Sequence, residues 1–386
     1  MQAVMARKII IKNGHVIDPA NAVNAVGNVY IDTDRIVEAF PEEDANLVID
    51  ATGKYVFPGL IDFHTHLFYK STEIGINPDT SMLCQGVTTA VDAGSFGASN
   101  VEAFVDNIIN RCDTTVQAYL EFCSAGMPTM KYHENFDPAK WDMKMMPYYL
   151  KKYEDVLLGF KIRMSKPLLG PHGAEIFRKA VKTAHELGAN ICVHTTDPSV
   201  SMAEIAELLE KGDVLAHVFH GTGANEGDTI IDADGKVNQA IIEAQARGVV
   251  MDAANGGNHW KFAVAEKALA QGFLPDIIST DITVKTLYKD PVFSLPFIMS
   301  KYLMLGMSVE QIIERVTINP ARLMRGEERY GTLSVGSLAD VAIFDIIDKE
   351  VTYSDTANEK RTGKKVFLPL MTFKGGEIVY RTLNFI

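Results

Sequence analysis

His64 and His66 close the apolar run Pro58-Gly59-Leu60-Ile61-Asp62-Phe63-His64-Thr65-His66, and no other pair in the chain is so clearly placed to do chemistry. On a β-strand residues i and i+2 share a face, so both imidazoles can point at one ion. Neutral imidazole is the commonest side-chain ligand of divalent transition metals. Strands also carry histidines as satisfied core or surface residues, so the pair gains its meaning from later segments. The run 156–163 holds Lys161 inside a buried-strand pattern, Asn190-Ile191-Cys192-Val193-His194 ends in His194, and Asp213-Val214-Leu215-Ala216-His217 ends in His217. A fourth run, Asp276-Ile277-Ile278-Ser279-Thr280-Asp281, ends in Asp281. Zinc suits this mixed nitrogen and oxygen set best, with manganese, iron or cobalt as alternatives. A bound divalent cation lowers the pKa of its water toward neutrality and makes hydroxide available.

These residues converge only if the strands that carry them lie side by side and point one way. Strand patterns fall near 60–66, 88–94, 116–122, 156–163, 190–194, 214–219, 249–253 and 277–281. Helix-like stretches lie between them at 100–111, 138–153, 174–187, 201–211, 238–247 and 259–271. Alternation of this kind predicts an α/β fold, a (β/α)8 TIM barrel over 58–334, with its chemistry at the C-terminal ends of the strands. Residues 1–57 and 335–386 are strand-rich and are expected to pair into one small β-sandwich domain built from both termini. A chain of 386 residues has room for a barrel of ~250 residues and a smaller domain.

The order His-x-His, Lys, His, His, Asp resembles that of the binuclear amidohydrolase superfamily. Lys8-Ile9-Ile10-Ile11-Lys12-Asn13-Gly14 resembles its N-terminal strand, Thr317-Ile318-Asn319-Pro320-Ala321-Arg322 the segment after its barrel, and Gly331–Asp345 its C-terminal return strand. Thr33-Asp34-Arg35-Ile36 departs from the family's usual Asp-Gly turn. The resemblance implies two divalent metal ions, His64, His66 and Asp281 holding one and His194 and His217 the other. Lys161, carboxylated by carbon dioxide, would bridge them. It also gives Asp281 the role of general base and later general acid. The plainer role for Lys161 is a salt bridge with a neighbouring carboxylate, and for Asp281 a helix cap.

Other polar residues are open to two readings. Arg163 shares the strand face of Lys161 nearer the rim, where it could fork onto a substrate carboxylate or pair internally. His220 could contact substrate or cap a turn, and His259, after the seventh strand, is taken as substrate-binding. Cys84, Cys112, Cys123 and Cys192 show no framework spacing and read as reduced thiols, with Cys192 lining the barrel interior beside His194.

Substrate class follows from departures. Dihydroorotases of the superfamily carry an arginine two residues after the His-x-His pair, whereas Leu67 and Phe68 follow here. The chain most resembles the amidohydrolase/deacetylase branch often labelled putative dihydroorotase. The resemblance implies hydrolysis of an acylated small carboxylic acid, an N-acyl amino acid or O-acyl hydroxy acid. A cyclic amidohydrolase of dihydroorotase, hydantoinase or imidase type, and an inactive scaffold homologue, are the alternatives. A net charge of −12 argues against nucleic acid or anionic membrane as partner. With no apolar run of spanning length, a cytoplasmic homo-oligomer acting on a small molecule is expected.

Overall fold

Isoleucines at 9, 10, 11 and 17 and valines at 16, 29 and 56 supply the buried face of the N-terminal strands. In the computed structural model, which describes residues 7–223 and 227–385, these strands are β1 (Lys8–Asp18), β2 (Val23–Asp32), β3 (Arg35–Ile36), β4 (Leu47–Asp50) and β5 (Tyr55–Pro58). β1 pairs antiparallel with β2 and parallel with β4 and β5.

The next seven strands carry near-continuous apolar runs, as strands covered on both faces must. They are β6 (Leu60–Thr65), β7 (Val87–Asp92), β8 (Thr115–Glu121), β9 (Leu157–Arg163), β10 (Asn190–His194), β11 (Val214–Ala216) and β12 (Val250–Asp252). All neighbours are parallel, in the order β12-β11-β10-β9-β8-β7-β6. The eighth strand expected over 277–281 follows the right path without forming a regular ladder. Isolated bridges join Ile277 to Asp252 and Ile282 to Thr65, closing the barrel between β12 and β6. A buried side chain replaces part of the missing ladder. Asp62 accepts hydrogen bonds from Thr280 N at 3.0 Å and Thr280 Oγ1 at 2.6 Å.

The helix expected over 138–153 is shorter, running from Met145 to Lys152 after a separate 3-10 turn at Pro138–Lys140. Asp142 Oδ1 accepts a hydrogen bond from Met145 N, the first residue of the helix, at 3.1 Å. Short helices at Pro78–Met82 and Lys166–Leu169 had no expectation, nor had three that follow the barrel strands, Leu295–Met304, Val309–Arg315 and Ile318–Ala321. Leu295–Met304 buries Leu295, Pro296, Ile298, Met299, Ser300, Lys301 and Tyr302 around most of its girth, so it lacks the one-sided apolar period that marks a surface helix.

The chain returns through β13 (Val341–Ser354), β14 (Lys360–Lys374) and β15 (Glu377–Arg381). β13 pairs with β5, so both ends of the chain share one eight-stranded sheet. This sheet curls on itself, because Gly376 in the β14–β15 turn lies against the Thr33 carbonyl of the β2–β3 turn. Ile9, Ile31, Val341, Ile343 and Phe373 fill the space enclosed. No helix among the described residues is long and apolar enough to cross a membrane.

Candidate metal centre

The first cluster forms where β6 meets the eighth segment. His66 Nε2 lies 3.2 Å from Asp281 Oδ1, and His64 Nε2 lies 3.9 Å from the same oxygen. The backbone places both partners, since Asp281 N donates to His64 O at 2.7 Å. Asp281 itself takes φ of +52°. Each imidazole is oriented from behind, His64 Nδ1 by Asp252 Oδ2 at 3.0 Å and His66 Nδ1 by Ser95 Oγ at 2.9 Å. Asp92 holds this corner together by accepting from Leu67 N at 2.7 Å and Ser95 N at 2.6 Å.

The second cluster joins His194 and His217 at the ends of β10 and β11 with His259 from the loop after β12. Their ligand atoms all lie within 4.8 Å of one another, as do those of His64, His66 and Asp281. His217 Nδ1 contacts Ala254 O at 2.8 Å, while its buried Nε2 has no hydrogen-bond partner. A buried polar atom without a partner carries a desolvation penalty, and a cation among these imidazoles would remove it.

Lys161 lies between the clusters, 1% exposed. Its Nζ is 3.4 Å from His64 Nε2 and 3.5 Å from Cys192 Sγ. Among the described residues no ion pair forms at Lys161, although the buried carboxylate of Glu121 lies near enough to feel its charge. Room for the side chain depends on Gly94, at φ +93°, where a Cβ would come within 2.6 Å of Lys161 Cγ. Cys192 does line the interior here, and burial pushes its thiol up to about 11.

Burial lowers the pKa of His64, His194 and His217 well below the ordinary imidazole value, with Lys161 or neighbouring histidines adding to the effect. Burial works to raise Asp281, yet the hydrogen bond from His66 and the proximity of His64 and His217 hold its carboxyl well below the usual range. Neutral imidazoles beside an ionised carboxylate are the protonation states that a divalent cation needs. The donor set therefore fits metal on both its geometry and its charge.

A cavity of about 370 Å³ opens onto these residues. Arg163 and His259 line it, together with Ile74, Met127, Met130 and Lys285. Arg163 pairs with Glu134, so the internal ion pair is present, although its carboxylate comes from a loop. His220 is fully buried and is not part of the lining; burial drops its pKa to about 3.

Sequence reasoning passed over Asp252, Ser95, Thr196, Glu134 and Lys285. A signal existed for Asp252, an acid inside the apolar run Val249-Val250-Met251-Asp252-Ala253-Ala254. Burial pushes Asp252 up to about 7 against hydrogen bonds from Ser279 and Ala254. With His64 shifted toward its neutral form as well, their contact acts as an orienting hydrogen bond more than as an ion pair. Asp252→Ala should weaken metal binding ~10–100-fold, the usual effect of losing an outer-shell partner, as measured by chelator competition. Unchanged affinity would show that His64 is oriented without it.

The profile of the amidohydrolase family matches residues 55–379. A protein named deacetylase from Agrobacterium fabrum is 32% identical over 333 residues, 86% of this chain and 80% of its own length. A dihydroorotase from Aquifex aeolicus is 26% identical, over 97% of this chain and 99% of that protein. Among solved structures, one described as an adenine deaminase superposes with a TM-score of 0.87 at 31% identity, covering 97% of this chain and 100% of that one. Another, described as a dihydroorotase, superposes with a TM-score of 0.85 at 28% identity, covering 97% and 98%. The match runs through the barrel, its strand-end donors and the return strand alike, and on that extent the chain belongs to the amidohydrolase family and is a metal-dependent hydrolase acting on carbon–nitrogen bonds.

Proposed function

We propose that this hydrolase removes the acyl group from an acylated small carboxylic acid, with an N-acyl amino acid as the first choice and an O-acyl hydroxy acid as the second. One observation carries the reading. The cavity sets Lys285, together with Arg163 in its ion pair with Glu134, beside an apolar wall of Ile74, Met127 and Met130, next to the metal residues. A carboxylate suits the first group and an alkyl or aryl substituent the second. Relatives named deacetylase, 32% identical, support the same choice.

In this proposal His64, His66 and Asp281 would hold one divalent ion, His194 and His217 the other, and Lys161, as a carbamate, would supply oxygens to both. Zinc is the metal that best suits the donors. When bound, the ions would activate a water and polarise the acyl carbonyl. Asp281 Oδ2 would accept the proton of the attacking water and pass it to the leaving nitrogen as the carbon–nitrogen bond breaks, releasing a carboxylic acid and an amine. The position after the histidine pair offers no guanidinium for a cyclic carboxylate. Leu67 and Phe68 are buried, and Phe68 packs edge-on to Phe104 at 5.3 Å and Phe96 at 6.3 Å.

Assayed with zinc-loaded protein, N-acyl amino acids should turn over faster than dihydroorotate, hydantoins and cyclic imides. A charge-assisted contact is worth ~1.5–3 kcal/mol, about one to two decades in binding. Faster turnover of dihydroorotate or another cyclic amide than of every linear acyl acid would overturn this substrate class and favour a cyclic amidohydrolase.

A further inference from the structure

We infer that His259 is a third imidazole ligand of the second ion, beside His194 and His217, and not a reader of substrate. The inference rests on the metal-dependent reading above and adds a ligand to it. Proximity comes first. The His259 ring centroid is 4.4 Å from that of His217 and 4.7 Å from that of His194, comparable with the 4.3 Å between His194 and His217 themselves. Ligand atoms of all three fall inside the same 4.8 Å limit.

Orientation is the stronger argument. Ligating histidines characteristically give their second ring nitrogen to a fixed acceptor, which sets the tautomer and turns the other lone pair toward the ion. His64, His66 and His217 follow this pattern through Asp252, Ser95 and the Ala254 carbonyl. His259 follows it too, its Nδ1 lying 2.8 Å from Thr196 Oγ1. With Thr196 as acceptor, Nε2 is left as a free lone pair. That Nε2 is 3.7 Å from Asp281 Oδ2, beyond hydrogen-bond reach, so the two groups face a common space without bonding to each other.

The ring is also held as a ligand must be. Its side chain is only 19% exposed. Trp260, the next residue, is buried; its Nε1 donates to Tyr302 Oη at 3.0 Å, and Lys301 Nζ lies 3.9 Å from its ring centroid. Gly256, at φ +55°, allows the loop to close over the site, since a Cβ there would meet both Asp281 Oδ2 and His259 Cδ2 at 2.4 Å. Such anchoring fixes an imidazole for coordination and leaves it little freedom to follow substrates of different shape.

The test uses full-length protein loaded with two equivalents of Co²⁺, read by proton NMR in water. A ligating imidazole shows its ring N–H as a strongly shifted, exchangeable resonance. The wild type should show five such resonances, and His259→Ala should lose one while its affinity for the second Co²⁺, measured by chelator competition, falls by at least ~10-fold. His259→Asn, closer in polarity, should lose the same resonance and guards against a folding defect in the alanine variant. Two bound ions with four shifted resonances, unchanged in number by either substitution, would overturn the His259 assignment and leave the metal-dependent reading intact. Protein that takes up no Co²⁺ would overturn both.

Discussion

Asp281→Asn is expected to lower kcat/KM by ~10²–10⁴-fold, the usual contribution of a positioned general acid–base group. The substitution keeps the shape of the side chain. The backbone bond from Asp281 N to His64 O and the grip of Asp62 on Thr280 should hold the residue in place. What is lost is an ionised oxygen. Asp281 is kept ionised despite burial by His66, His64 and His217, and an amide can still offer an oxygen to a cation but cannot take up a proton. Elemental analysis should therefore find some metal retained while turnover collapses. A loss well below tenfold, with metal retained, would mean that another residue moves the proton.

Lys161→Ala is expected to remove at least one ion per chain. If Lys161 bridges as proposed, its loss should weaken the second ion by more than the ~10–100-fold typical of a partner behind a ligand, and turnover should fall with it. Bicarbonate with a short carboxylic acid, filling the vacated space with two oxygens, should restore part of the metal content. Full activity with two ions retained would take Lys161 out of the bridge. Stability gives an independent readout. A buried ammonium with no carboxylate in direct contact is unfavourable, and within the described residues Lys161 hydrogen-bonds only His64 and Cys192, with Glu121 and Asp252 acting on it through their charge alone. In the presence of a chelator, Lys161→Met should therefore unfold at no lower denaturant concentration than the wild type. Marked destabilisation would indicate a compensating partner for the amine.

Repeated apolar runs separated by helical stretches made the barrel legible in the chain, and a parallel barrel brings every strand C-terminus to one rim. His64, His66, Lys161, His194, His217 and Asp281 could be picked out for that reason, since each ends or nearly ends such a run. The eighth segment was legible as a run but not as an irregular one. Its pairing is replaced by Asp62, more than two hundred residues away, with Thr280. The helix Leu295–Met304 was missed because burial around most of its girth removes the one-sided period that marks a helix in sequence.

Local pattern thus determined the barrel and the order of its donors, because strand period and strand ends are properties of neighbouring residues. Tertiary structure alone decided which donors share a cluster and what stands behind them. His259 and His220 look alike in the chain, but the first lines the cavity while the second is fully buried and outside its lining. Arg163 could have been free for a substrate carboxylate, yet a loop brings Glu134 to it. Asp252 orients His64 from 188 residues away. Such contacts depend on where loops and opposite strands come to rest once the barrel has closed, and no period or spacing along the chain encodes that path.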